Sequence, residues 1–74
     1  MSVLPRVSGR QVVAALAKVG YLKDRQKGSH IVLRHGEPPF RRLVVPDHRE
    51  ISTGTLRAIL RQAGVTSDEF KALL

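Results

Sequence analysis

His30 has the most informative setting of the three histidines in this sequence. It stands in QKGSHIVLRH (residues 26–35), between a basic glycine turn and a run of strand-forming residues. A strand that only filled a core would continue its apolar alternation, and a simple turn would favour Asn, Asp or another Gly. An imidazole has an unperturbed pKa of about 6.5, so it can accept or donate a proton near neutral pH. His30 is therefore a candidate general acid or base, although the pattern alone favours a half-buried strand histidine with a structural hydrogen bond.

The charge of the chain indicates a polyanionic partner. Thirteen Lys and Arg against six Asp and Glu give a net charge of +7. Nucleic acid, an anionic membrane surface or an acidic protein would each suit such a surface, and nucleic acid is the commonest explanation. Gly28 has no Cβ, so the backbone N–H groups around it could approach a phosphate closely. Basic residues nearby could contact the same phosphate.

The length and composition exclude several classes of protein. A chain of 74 residues predicts one small domain, residues 1–74, and excludes large catalytic architectures. It contains no cysteine, so it has no disulfide and no thiolate nucleophile or metal ligand, which fits the cytoplasm. The longest apolar helical run, residues 12–17, is far too short to cross a bilayer, and the N-terminus lacks a signal-peptide pattern. We expect no membrane partner.

Three helices are predicted from capping residues and apolar spacing. Ser8 and Gln11 form a capping box that opens a helix over about residues 9–19, and Gly20 ends it. Its apolar face is expected to comprise Val12, Val13, Ala15, Leu16 and Val19. A second helix begins at residues 52–54, ends at Gly64 and has Leu56, Ile59, Leu60 and Ala63 on its apolar face. Thr66 and Glu69 form another capping box, before a short last turn that closes the core with Phe70, Leu73 and Leu74.

Three antiparallel strands are predicted between the first two helices. They cover residues 21–26, 29–34 and 41–45, with a turn at Lys27 and Gly28, a connection over residues 35–40, and Pro46 as the end. Alternation in the middle strand directs Ile31 and Leu33 to one face and leaves His30 near an open face. The expected fold is α+β, with the helices on one face of the sheet and an ordered unit from about Ser8 to the C-terminus.

This order of elements, together with SGRQVVAALAKVGY, RQKGSH and GTLRAILRQAG, resembles the HicA family of toxin ribonucleases from bacterial toxin–antitoxin systems. The resemblance covers nearly the whole chain. It implies a fold like the double-stranded-RNA-binding domain, cleavage of mRNA and related RNA that inhibits translation, a catalytic histidine in the G-S-H motif, and a HicB antitoxin as partner. The catalytic histidine would be His30. Two departures are Ile31, where many members have a second histidine, and Ser52-Thr53, where Lys-Pro or a similar pair often occurs.

The chemistry of His30 agrees with this resemblance and predicts an RNA substrate. His30 could deprotonate a ribose 2′-OH or protonate the leaving 5′-oxygen, a metal-free and cofactor-free route that needs RNA and not DNA. The candidate RNA-binding residues are Arg25, Lys27, Gly28, Ser29, Arg34, Arg41 and Arg42. Arg41 and Arg42 could instead mainly discourage aggregation at a sheet edge. Aromatic content of only 4% makes base stacking a minor mode at best.

Alternatives remain open for several residues and for the function. A non-catalytic RNA-binding module is the second hypothesis, and a DNA-binding helix-turn-helix fits less well because strands separate the first two helices. His35 and His48, even with Asp47 nearby, match no standard metal motif and are expected to be solvated loop histidines. Arg57 and Arg61 lie four residues apart on a helix, where they could follow a phosphate backbone, contact an acidic partner, or form an ordinary solvated face.

Overall fold

The computed structural model describes residues 3–74, which form three helices and three strands. Their order is α1 (Gly9–Ala17), β1 (Tyr21–Lys27), β2 (His30–His35), β3 (Arg42–Pro46), α2 (Thr53–Ala63) and α3 (Ser67–Leu73). This confirms the predicted α+β class and is consistent with a fold like the double-stranded-RNA-binding domain. The single-domain prediction covers residues 1–74, of which residues 1 and 2 lie outside the described part of the chain. Within residues 3–74, no helix combines the length and apolarity needed to cross a membrane.

The sheet is antiparallel in the order β1-β2-β3, so β2 is the central strand. Ile31 and Leu33 of β2 pair with Val45 and Leu43 of β3, and all four side chains are buried under the helices. The alternation predicted for β2 is confirmed. Burial of these side chains with Val12, Leu16, Leu56, Ile59, Leu60 and Phe70 forms one continuous core.

The predicted helix caps are confirmed. The Ser8 hydroxyl accepts the Gln11 N–H and the Gln11 side chain accepts the Ser8 N–H, and Thr66 and Glu69 form the same reciprocal pair at α3. Ser52 caps α2, and Gly64 ends it in the left-handed conformation with φ of 73°.

The prediction that α1 extends to residue 19 is wrong, because the helix ends at Ala17. The following turn is tightened by i to i−3 hydrogen bonds, from Val19 N to Leu16 O and from Gly20 N to Ala17 O, both 3.1–3.2 Å. This tightening rotates Val19 out of the apolar stripe, and its side chain is 38% exposed.

Hairpin β1–β2 is displaced by one residue from its predicted position. Lys27 and His30 pair across it, so the turn residues are Gly28 and Ser29, and Gly28 has φ of 59°. The strand β2 also ends one residue later than predicted, at His35, which the sequence pattern places in the connection.

The ends of the chain also differ from the predictions. The ordered part begins before Ser8, because Leu4 and Val7 are buried and the Val7 carbonyl accepts the Ile51 N–H at 2.8 Å. At the other end Phe70 is fully buried and Leu73 partly buried, but Leu74 is 51% exposed. Phe70 therefore belongs to the core at this end of the chain, and Leu74 does not close it.

Candidate functional site

The sheet face opposite the helices, called here the open face, carries His30 and most of the predicted RNA-binding side chains. Cross-strand pairs share a face, so the register defines three rows across the sheet. These rows are Lys27–His30–Pro46, Arg25–Val32–Val44 and Leu22–Arg34–Arg42.

His30 is the first residue of the central strand and has paired neighbours on both sides. Its side chain is exposed, whereas Ile31, the next residue, is buried. Hydrogen-bonded strands on either side fix the Cα–Cβ direction, so the ring projects from a rigid part of the sheet while its nitrogens face solvent. The exposure differs from that of the half-buried strand histidine that the sequence pattern alone favoured.

The electrostatic character of the open face is strongly positive. Four cations, Arg25, Lys27, Arg34 and Arg42, occur among its nine paired residues and no acid does; the unpaired Asp24 of β1 lines a cavity at the edge of this face. Directly paired residues have Cβ atoms about 5 Å apart, so Lys27 lies within reach of the same group as His30.

Three side chains, called here the turn brace, hold the turn beside His30. They are Arg10 of α1, Gln26 of β1 and Asp47 after β3. Gln26 Nε2 donates to Gly28 O and to Asp47 Oδ2, both at 3.1 Å. Arg10 Nε donates to Asp47 Oδ1 at 3.3 Å.

Backbone contacts complete the attachment of the turn. The Asp47 N–H donates to Ser29 O at 2.6 Å, so both turn carbonyls are engaged. Hydrogen bonds from Arg10 and then Gln26 lower the pKa of Asp47, which keeps it an acceptor. Sequence reasoning missed the brace because its members are 21 and 37 residues apart and no local signal links them.

The remaining predicted RNA-binding residues occupy two other places. Gly28 and Ser29 lie in the turn adjoining His30. Arg41 is not on the open face: it extends to the helix layer, where Nη1 contacts Gln62 O at 3.5 Å. The structure therefore brings six of the seven candidates to His30's side of the sheet or its turn and separates Arg41 from them.

His35 is a structural histidine, which corrects its interpretation as a solvated loop residue. Its Nε2 lies 3.1 Å from Val19 O and its Nδ1 accepts the Glu37 N–H at 3.1 Å, so the proton belongs on Nε2. The ring meets Tyr21 edge to face, with centroids 4.8 Å apart. Gly20 is required beneath it, because a Cβ there would lie 2.6 Å from His35 Nε2.

The other residues considered in the sequence lie on exposed surfaces. His48 is exposed in the connection after β3, as expected. Arg57 and Arg61 are exposed on α2, in the layer opposite the open face. In residues 3–74, no three histidine or carboxylate side chains form a group that could hold a metal ion.

A protein-family model matches most of the chain. The model described as HicA toxin of bacterial toxin-antitoxin systems matches residues 9–65, from the start of α1 to the residue after the Gly64 cap. The match thus includes the open face, the turn and α2. No curated protein sequence matches the chain significantly. Since the family model covers most of the 74 residues, the chain belongs to the HicA family of toxins from bacterial toxin–antitoxin systems.

Proposed function

We propose that this HicA-family toxin is an endoribonuclease that cleaves mRNA and related RNA, with His30 as general acid or base. The observation that carries the proposal is the position of His30, an exposed imidazole fixed on the central strand of an otherwise cationic sheet face. A histidine that only stabilised the fold would be expected to be buried or hydrogen-bonded, as His35 is.

The proposed reaction uses the ribose 2′-OH as its nucleophile. The 2′-oxygen attacks the adjacent phosphorus and loses its proton, the bond from phosphorus to the 5′-oxygen breaks, and that oxygen takes up a proton. The products are a 2′,3′-cyclic phosphate and a free 5′-hydroxyl. His30 serves at one of the two proton transfers, and no step requires a metal ion.

Charge that develops on the phosphate needs stabilisation from neighbouring donors. Lys27 is the cation that pairs directly with His30 across the hairpin, and it is suited to this role. The N–H groups of Gly28 and Ser29 are candidates for the same phosphate, and the turn brace gives them a fixed position. Arg25, Arg34 and Arg42 would bind flanking phosphates, while Arg41 would contact RNA only beyond the open face.

The same face is the proposed site of inhibition. A toxin of this family requires restraint in its own cell, and we propose a HicB-type antitoxin whose acidic groups complement the cations around His30. The cytoplasm, where mRNA is translated, is the proposed place of action.

The first prediction tests the role of His30. His30→Ala should lower the rate of RNA cleavage by roughly 10²- to 10⁴-fold, the usual contribution of one proton-transfer group. RNA affinity and the thermal midpoint should change little, because the phosphate-binding charges remain and removal of an exposed ring leaves no cavity. Cleavage, affinity and midpoint should be measured on the same preparation, with EDTA present.

His48→Ala is the matched control, since His48 is also exposed but lies outside the open face. It should cleave RNA as the wild type does. Full activity of His30→Ala would refute the assignment, and binding without any cleavage by the wild type would favour the non-catalytic RNA-binding module. Loss of cleavage in EDTA that Mg²⁺ restores would refute the metal-free route.

A further inference from the structure

The open face ends in an aromatic and cationic stack at the end of β2 opposite the turn. The guanidinium carbon of Arg34 lies 4.7 Å from the centroid of the Phe40 ring. Phe40 remains 41% exposed, and Leu22 beside this stack is 58% exposed. We call Arg34 and Phe40 the base shelf. Planar groups of this kind are the surfaces on which unpaired bases stack in RNA-binding proteins.

The backbone at Phe40 is in an unfavourable conformation. Its φ is 55°, and among the described residues it is the only non-glycine residue with positive φ. A bulky side chain rarely adopts this left-handed region, so Asn or Gly would be the expected residue for the turn alone. Turn geometry and core packing therefore leave the large exposed ring unexplained, and a binding role would explain it.

A shallow cavity of about 220 Å³ adjoins the base shelf. Leu22, Lys23, Asp24, Arg34 and Phe40 contribute to its walls. This volume is smaller than the roughly 300–1,000 Å³ of an ordinary small-molecule pocket, so it suits one ring system of a longer ligand. The Asp24 carboxylate in this wall can accept a hydrogen bond from a base, as acidic residues do with amino groups of bases.

The base shelf is also continuous with the proposed reaction site. Arg34 and His30 lie on the same face of β2 and are four residues apart, which corresponds to about 13 Å along the strand. Arg25 and Arg42 lie between or beside them and are suited to the connecting phosphates.

From these observations we infer that the base shelf binds an unstacked nucleobase of single-stranded RNA, at a fixed offset from the phosphate next to His30. The inference rests on the proposed function for its RNA ligand and extends it by naming the part of the RNA recognised. The shelf positions the strand by one stacked base, while the arginines contact its phosphates.

The second prediction measures binding, so that it does not depend on cleavage. Short single-stranded RNAs, each lacking one base at a different position, are titrated against protein in the His30→Ala background. Removal of one particular base should weaken binding by about 5- to 150-fold, the range for stacking of a single base. Phe40→Asn should weaken binding of the intact RNA similarly and abolish the penalty for that missing base, as expected for coupled partners.

Three variants separate stacking from other effects. Asn accepts positive φ, so Phe40→Asn should keep the thermal midpoint, and Phe40→Tyr should retain both binding and the penalty for the missing base. Leu74→Asn removes an apolar side chain that is 51% exposed on the other layer, and it should leave RNA affinity unchanged.

Two results would overturn the inference. One is an equal penalty for the missing base with and without the Phe40 ring. The other is a Phe40→Asn variant that loses affinity for the antitoxin but not for RNA, which would assign the shelf to the protein partner. If the wild type binds RNA through Phe40 but never cleaves it, the shelf stands and the proposed reaction fails.

Discussion

A methyl group added at Gly9 tests whether the contact between α1 and the end of β3 is as close as the structure shows. Gly9 is buried, and its N–H donates to His48 O at 2.9 Å. A Cβ at this position would overlap the carbonyl oxygen of Pro46 and would lie 3.2 Å from the Cα of Asp47. Both obstacles are backbone atoms, so no side-chain rotation can relieve the overlap.

The third prediction follows from this geometry. Gly9→Ala should lower the free energy of unfolding by about 1–3 kcal/mol, the usual cost of forcing extra volume into a packed site. For a domain of this size each kcal/mol shifts the thermal midpoint by roughly 4–8 °C, so the midpoint should fall by about 4–24 °C. Urea and thermal unfolding of the purified variant measure both quantities.

Gly54 supplies the matched control, because it too lies in the first turn of a helix. No atom within 4 Å would meet a Cβ there. Gly54→Ala should therefore stabilise the protein by about 0.4–1 kcal/mol through loss of freedom in the unfolded chain. The two substitutions should change the free energy of unfolding in opposite directions. A Gly9→Ala variant as stable as Gly54→Ala would refute the close contact.

Two further predictions concern single hydrogen-bonding groups. Tyr21→Phe removes a hydroxyl that donates to Ala63 O at 2.9 Å in a buried setting, and urea unfolding should show a loss of about 1 kcal/mol; an unchanged midpoint would contradict it. Asp47→Asn should be less stable than the wild type at about pH 7, because the pKa of Asp47 is lowered by Arg10 and Gln26 in the folded state. A lowered pKa stabilises the fold above the unfolded pKa, so the difference should shrink as the pH falls below about 4; a constant difference from pH 7 to pH 3 would exclude this linkage.

Local signals were sufficient to predict the elements of this fold. The capping boxes at Ser8 and Thr66 join residues three positions apart, and alternation within β2 depends only on neighbouring positions. Element boundaries depend on more than this. The tightened turn that exposes Val19 and the one-residue displacement of the hairpin are set by how the elements meet, which a local pattern does not contain.

The candidate site was also predictable where it depends on local pattern and not where it depends on distant contacts. Strand alternation predicted the open direction of His30, and family resemblance predicted its role, which stays a prediction. Contacts between distant parts of the chain were not predictable: Asp47 reaches Gln26, His35 reaches the turn after α1, and Phe40 meets Arg34 only after the connection folds back. The aromatic content of 4% predicted little base stacking, which stays a prediction, and a count of rings could not show that Phe40 lies against Arg34.

The alternation of β2 has a consequence for how this site changes by insertion and deletion. His30 and Arg34 face outward only while Ile31 and Leu33 face the core. A slip of one residue in this strand would place the imidazole and the guanidinium in the core and two large apolar side chains in water, so the chain would not fold. Selection for a folded core thereby also preserves the direction of the histidine. Among variants that still fold, the site is therefore lost through substitution of His30 itself and not through slippage of its strand.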